Sequence, residues 1–134
     1  MIFRFLRMRV DVRIHPSHVE LVCAGIFTRT EALRVIAQAY QEAAAAGSSN
    51  VLVDVRAVNG RLPTIFERFD IGISLAERFL EQLPRVRLAL LGHEPMIHPE
   101  RFGEIVARNR GADTRAFTVE SEAVDWLLMR MTAK

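Results

Sequence analysis

The chain has 134 residues, a length that fits a single domain spanning residues 1–134. Hydrophobic residues make up 50% of it and charged residues 25%, and this balance, with a formal net charge of only +2, excludes an intrinsically disordered chain. No run of about 18 apolar residues occurs, so the sequence predicts no membrane span. The single cysteine, Cys23, excludes an internal disulfide and a zinc site built from several cysteines.

The positive charges are almost all arginines, because Lys134 is the only lysine. Arg4, Arg7, Arg9 and Arg13 cluster near the start, with Asp11 as the one acid among them. A nucleic-acid footprint needs a longer basic stripe, so we interpret the cluster as the solvated face of a strand and expect no nucleic-acid partner. Arginines interrupt the apolar positions of this segment and no small-residue cleavage site follows, which predicts no signal peptide and a cytoplasmic location.

Two strands open the predicted fold. Apolar and charged residues alternate over residues 8–14, which is typical of a half-buried strand with one apolar face. The turn residues at positions 15–17 break this pattern, and residues 19–24 predict a second strand that pairs with the first as an antiparallel hairpin. A helix follows to about residue 46, with Thr28 and Glu31 as a capping box and Gly47 as the C-cap.

The later elements alternate strictly between strand and helix. Residues 51–55 and 86–91 are apolar runs that predict strands covered on both faces. A long amphipathic helix is predicted between them at residues 64–83, a shorter helix at about 99–110, a strand at 114–119, and a last helix capped by Ser121. The expected fold is therefore a single α/β domain: a mixed, mainly parallel sheet of about five strands with an antiparallel edge hairpin, and four helices.

Three stretches of the chain carry a resemblance to a known family: VLVDVRAVNG (residues 51–60), RLALLG (87–92) and FTVESEAVDWL (117–127). With the element order, they resemble the STAS domain superfamily, and more specifically its SpoIIAA-like group, which is often placed beside Sec14-type lipid-binding folds. The resemblance implies a regulatory module that binds other proteins. Anti-sigma-factor antagonists of this fold carry an aspartate followed by a phosphorylatable serine before the second helix, whereas residues 59–64 here read NGRLPT. We therefore expect no phosphoserine switch, and we interpret Thr64, the one hydroxyl there, as a helix cap.

The sequence predicts no catalytic residue, no metal and no cofactor. His93 and His98 share a loop, but neither they nor His15 and His18 match a helical zinc motif. The chain has no nucleophile elbow and no glycine-rich phosphate loop. Cys23 is expected to be a buried, inert thiol. Asp54 could be a general base with a raised pKa, although a carboxylate bonded to neighbouring backbone amides is the favoured interpretation.

A candidate site for a ligand or partner follows from the strand order. Ligands of open α/β sheets gather beyond the carboxyl ends of parallel strands, which here are residues 24–28, 56–64 and 92–99. The predicted rim of this site consists of Arg56, Asn59, Arg61, Thr64, His93 and Glu94.

The predicted helix at residues 64–83 carries more apolar surface than a narrow buried stripe requires. Its expected buried stripe consists of Ile65, Phe66, Phe69, Ile73, Ala76, Phe79 and Leu80. We expect most of this apolar surface to pack in the core of the domain. We expect the remaining apolar surface to face a partner subunit or an apolar ligand.

Three functions remain open at this point. The first is a non-catalytic regulatory module that binds a protein partner, or itself as a homodimer, through the long helix and the loop before it. The alternative is a carrier or sensor of a small apolar or amphipathic, lipid-like ligand, which needs a cavity of roughly 300 Å3 or more. A hydrolytic or metal-dependent enzyme is the third, and it needs titratable groups that converge.

Overall fold

The computed structural model describes residues 8–129, which form one five-stranded sheet with helices on both faces. The strands are β1 (Arg9–Ile14), β2 (Val19–Ile26), β3 (Asn50–Asn59), β4 (Arg87–Leu91) and β5 (Thr114–Phe117). They lie side by side in chain order; β1 and β2 are antiparallel, and every later pair is parallel. The predicted mixed sheet with an antiparallel edge hairpin is confirmed. Arg4 and Arg7 of the predicted basic cluster lie outside the described residues.

Four helices complete this part of the chain: α1 (Arg29–Ala46), α2 (Ile65–Glu81), α3 (Phe102–Asn109) and α4 (Glu120–Leu128). The larger core lies between the sheet and the first three helices, where Leu21 and Val53 pack with Tyr40 and Leu75. A smaller core lies on the opposite face, where α4 packs Trp126 and its neighbours against the strands. Residues 51–54 of β3 are buried, as a strand covered on both faces must be.

Strand β3 is longer than predicted because it contains a β-bulge. Val22 pairs with Asp54, but Ala24 pairs with Ala57, so two residues of β3 face Cys23 alone. The extra residue changes the phase of the side chains, and Val58 becomes buried although regular alternation from Val53 would direct it outward. The bulge also allows β3 to continue beside β2 as far as Asn59, which carries the following loop beyond the sheet.

Helix caps account for several of the predicted boundaries. The Thr28 hydroxyl accepts a hydrogen bond from the backbone N–H of Glu31 at 3.1 Å, and Gly47 ends α1 in the left-handed conformation with φ of 67°. The predicted cap at Ser121 is wrong: the N-cap of α4 is Val119, two residues earlier, and it makes no side-chain cap bond. Helix α3 is also shorter than predicted, beginning after Arg101. No helix within residues 8–129 combines the length and hydropathy needed to cross a bilayer.

The first strand is more exposed than its alternating sequence predicts. Met8 is buried and Val10 packs against the larger core, but Val12 and Ile14 are 36% and 64% exposed. The helices cover the start of β1 but not its end. The apolar face is therefore covered at Met8 and Val10 and exposed at Val12 and Ile14.

Candidate functional site

The carboxyl ends of β2, β3 and β4 meet at one edge of the sheet, because these three strands are parallel neighbours. The last residues of β3 and the loops that follow β3 and β4 contain the six predicted rim residues. Arg56 and Asn59 belong to β3 itself, whereas Arg61, Thr64, His93 and Glu94 follow the strands. The structure does not bring these residues together into one site: Arg56, Arg61 and Glu94 belong to separate ion pairs, and each pair includes a partner that the sequence analysis did not select.

The first cluster caps the N-terminus of α2. The Arg61 guanidinium donates two hydrogen bonds to the Glu67 carboxylate, at 2.8 and 2.7 Å, and lies 5.3 Å from the centre of the Phe27 ring. Glu67 also accepts from the backbone N–H of Thr64, whose hydroxyl accepts in return from the backbone N–H of Glu67. The bonds from Arg61 and Thr64 lower the pKa of Glu67 to about 2. The expected role of Thr64 as a helix cap is confirmed.

Glu67 is the partner that sequence reasoning missed in this cluster. Its signal was present in the sequence, because Thr64 followed three residues later by glutamate is the pattern of a capping box. The bidentate bond from Arg61 could not be predicted in the same way, since it depends on how the loop folds back over the helix.

The second cluster lies on the α4 face of the sheet. Arg56 donates to both carboxylate oxygens of Asp54, at 3.0 and 2.8 Å, and to Glu120 at the start of α4, at 3.0 Å. Burial raises the pKa of Asp54, but the hydrogen bonds from the Arg56 side chain and backbone outweigh this effect, and the net pKa lies below its ordinary value.

Asp54 is therefore ionised and held in place by its neighbours. Its Oδ1 accepts from the backbone N–H of Arg56 at 3.0 Å, which confirms the favoured interpretation of a carboxylate bonded to backbone amides. A general base needs a raised pKa near neutrality, and Asp54 has the opposite shift.

The third group lies on the loop between β4 and α3. Glu94 accepts a hydrogen bond from Arg101 at 3.0 Å, and His93 is exposed. Arg68 of α2, which sequence reasoning missed, donates to the backbone carbonyls of Pro95 and Met96 at 2.9 and 2.8 Å. This contact ties the loop to α2. Asn59 is exposed and donates only to the carbonyl of Ala57, at 3.4 Å.

Helix α2 buries a different stripe from the one predicted. Its buried residues are Gly72, Leu75 and Ala76, whereas Phe66 is 79% exposed and Phe69 is 39% exposed. Of the predicted stripe, Ala76 is buried and Ile73 and Phe79 are half-buried. The expected burial is wrong for the residues that remain exposed, which are Ile65, Phe66, Phe69 and Leu80. Gly72, rather than a bulky residue, occupies the position where α2 approaches α3. The exposed apolar residues of α2 and of the loop before it, which we call the α2 face, are Leu62, Ile65, Phe66, Phe69 and Leu80.

An apolar cavity lies between α1, α2 and the sheet. Its volume is about 100 Å3, and residues that line it include Met8, Phe27, Val58, Leu75 and Ile97. A site for a drug-sized ligand has about 300–1,000 Å3. The volume of this cavity is therefore smaller than a carrier of such a ligand would need.

Two solved structures have a fold similar to that of this chain. An anti-sigma factor antagonist from Mycobacterium paratuberculosis has a similar structure, with a TM-score of 0.59 and 12% sequence identity over 90% of this chain and 93% of that one. An uncharacterised protein with a SpoIIAA-like fold from Shewanella loihica is similar with a TM-score of 0.50 and 16% identity, over 90% of this chain and 93% of that one. No family model matches the sequence, and no curated protein matches it.

This chain has the SpoIIAA-like fold. The resemblance that the strand stretches indicated is confirmed at the level of the fold, although the sequence identities are low. In this SpoIIAA-like domain, the loop at residues 59–64 leads directly into α2, and it therefore places the Arg61–Glu67 pair beside the α2 face.

Proposed function

We propose that this SpoIIAA-like domain is a non-catalytic regulatory module that binds another protein through the α2 face and the loop at residues 59–64. The observation that carries the proposal is the exposure of Phe66, at 79% of its surface. Leu62 and Ile65 are also exposed, at 44% and 47%. Clustered apolar side chains of this size are costly to leave in water, and they are typical of protein-binding surfaces.

The charges around the α2 face favour a protein partner. Glu67 pairs with Arg61, and Asp70 pairs with Arg29 of α1 at 2.9 Å, so ion pairs border the apolar residues on the α1 side. An apolar centre with aromatic side chains and a polar border is the usual anatomy of a protein interface. The likeness to an anti-sigma factor antagonist, a protein named for its action on another protein, supports the same class of function.

A non-catalytic role is supported by the state of the titratable groups. Asp54, Glu67 and Glu94 each accept hydrogen bonds from an arginine, so each carboxylate is already bonded within the protein. Within residues 8–129, no three histidine, cysteine or acidic side chains are grouped as a metal site would require.

We also propose that partner binding does not depend on a phosphoserine switch. The loop at residues 59–64 has no serine, and the Thr64 hydroxyl already accepts the backbone N–H of Glu67 as the α2 cap.

A competition between matched variants tests the proposed function. Wild-type protein, Phe66→Asp and Leu128→Asp are used to capture proteins from the source cells, and each captured protein is then purified and titrated against all three by calorimetry. Leu128 is the control, because it is an apolar residue of α4 with 52% exposure. We expect Phe66→Asp to weaken binding of the purified partner by more than about 30-fold, which is the effect of losing a hot-spot aromatic residue. Equal binding by Phe66→Asp and Leu128→Asp would contradict the proposal.

A further inference from the structure

Strand β1 leaves one side of the sheet open. It is the outermost strand, and nothing within residues 8–129 pairs with its outer edge. An open edge strand is a template for pairing with another strand, and proteins usually protect it with a bulge, a proline or a covering element. The register between β1 and β2 is regular from Arg9 to Ile14, and β1 contains no proline. Within its own length the edge therefore has neither a bulge nor a proline, and its protection against unspecific pairing consists of the charged side chains of Arg9, Asp11 and Arg13.

The outward-facing backbone groups of β1 can be identified from the hairpin turn. The backbone N–H of His15 donates to the carbonyl of His18 at 2.9 Å. Because hydrogen-bonded pairs alternate along an antiparallel ladder, Arg9, Asp11 and Arg13 direct their backbone groups towards β2. The N–H and C=O groups of Val10, Val12 and Ile14 consequently point away from the sheet, where a further strand would bond to them.

The side chains of β1 are self-complementary in one register. When two copies of the strand run antiparallel with Val12 facing Val12, Asp11 lies opposite Arg13 of the second copy, and Arg13 lies opposite its Asp11. Opposite charges at facing positions stabilise a strand pair. If Asp11 instead faced Asp11, two acids would be directly opposed and Arg9 would face Arg13, which is destabilising.

The same register covers the exposed apolar residues. Val10 of one copy faces Ile14 of the other, and the two Val12 side chains face each other. The exposed fractions of Val12 and Ile14 are 36% and 64%, so both have surface to bury. Asp11 and Arg13 are free to engage the second copy, since within one chain their side chains are mostly exposed and approach only to 3.9 Å.

From this complementarity we propose that β1 pairs antiparallel with β1 of a second copy of this chain, with Val12 on the twofold axis, so that the two sheets become one. The occupant of the open edge is thus another molecule of the same protein. The contact is distinct from the α2 face, and each surface is tested by its own variants.

Charge-reversed variants test the pairing through the molecular mass. Sedimentation of the wild type between about 10 µM and about 1 mM should show a reversible dimer. Asp11→Arg and Arg13→Asp each oppose like charges and should sediment as monomers, with circular dichroism confirming that they are folded. An equimolar mixture of these two variants should form a heterodimer, and the double reversal Asp11→Arg with Arg13→Asp should restore the homodimer. A wild type that is monomeric throughout would overturn the proposal.

Cysteine crosslinking tests the register. In a hydrogen-bonded antiparallel pair the facing Cα atoms are about 5.5 Å apart, within the span of a disulfide. Val12→Cys should therefore oxidise to a covalent dimer, whereas Val10→Cys, whose two copies would lie about 14 Å apart, should not. Equal crosslinking of both variants would overturn the register. A dimer that Phe66→Asp abolishes and Arg13→Asp leaves intact would overturn the β1 contact in favour of the α2 face.

Discussion

Gly72 of α2 lies so close to α3 that a Cβ atom at this position would be 2.8 Å from the carbonyl oxygen of Gly103. The same atom would also be 2.8 Å from the side chain of Val106. The two helices touch through backbone at this point, and only glycine at position 72 allows it. This approach determines which side of α2 is buried, and so it determines which residues remain on the α2 face.

Gly72→Ala should destabilise the protein. The added methyl group meets a backbone oxygen that cannot move without displacing α3, and overpacking of this kind costs about 1–3 kcal/mol. The higher helix propensity of alanine offsets part of that cost. Urea denaturation measures the change in the free energy of unfolding. Gly103→Ala is the matched control, because its added atom would be 3.4 Å from the nearest atom, the carbonyl oxygen of Arg68. A Gly72→Ala protein as stable as Gly103→Ala would contradict the close contact.

Phe66→Asp should fold with nearly unchanged stability, since Phe66 is 79% exposed and surface substitutions change the free energy of unfolding by about 0.5 kcal/mol or less. Leu75→Ala, in the same helix, should cost about 2–5 kcal/mol because Leu75 is 5% exposed and packs in the larger core. Phe69→Asp should also give a folded protein, although the substitution removes the ring over which Arg110 lies. Thermal unfolding followed by circular dichroism distinguishes these cases. An unfolded Phe66→Asp protein would place this residue in the core and would remove the basis of the proposed binding surface.

The Arg61–Glu67 pair should contribute stability that depends on pH. The pKa of Glu67 is lowered from 4.5 to about 2, so the folded state favours the ionised carboxylate. The stabilisation is therefore complete above pH 4.5 and is lost as the pH falls through the interval from 4.5 to 2. The difference in unfolding free energy between wild type and Glu67→Gln, measured from pH 7 to pH 2, should shrink across that interval. A difference that stays constant, or a Glu67 titration at pH 4.5 by NMR, would contradict the pairing.

Removal of Arg56 should raise the pKa of Asp54. Burial raises this pKa, and the hydrogen bonds from Arg56 are the largest of the effects that bring it below its ordinary value. In Arg56→Met the backbone bond remains, but the two guanidinium bonds are lost and Asp54 is left buried with its charge only partly compensated. The loss of stability should be largest at pH 7 and should shrink as the pH falls through the pKa of Asp54 and the carboxylate is protonated. NMR titration of the Asp54 carboxyl carbon checks the direction, and a lower pKa in the variant would show that Arg56 does not hold this carboxylate.

The thiol of Cys23 should be unreactive in the native protein. It is fully buried, and burial, with a smaller contribution from the charge of Asp54, raises its pKa to about 12. A thiol-specific reagent at pH 8 should therefore label Cys23 only after denaturation. Leu128→Cys provides the positive control, because Leu128 is 52% exposed and lies outside both proposed interfaces, so a thiol there should react at once. Rapid labelling of the native wild type would show that the β2 strand opens readily.

The order and direction of the elements could be predicted from the sequence, because each depends on a local signal. Alternating residues indicated β1, continuous apolar runs indicated β3 and β4, and Thr28, Thr64 and Gly47 marked helix ends. The loops that share the carboxyl edge followed from the parallel arrangement, and so did the positions of the six rim residues. The partners of those residues did not follow, since Glu120 reaches Arg56 from a part of the chain 64 residues away.

Local periodicity shows that a helix has an apolar side, and it does not show which apolar side faces the core. The sequence by itself therefore determined that residues 65–81 form an amphipathic helix, while the tertiary structure alone decided that Gly72 is buried and Phe66 is exposed. The physical reason is that burial depends on the shape of the neighbouring element as well as on hydrophobicity. Helix α3 approaches α2 at Gly72, which has no side chain, and Phe66 is left in contact with water.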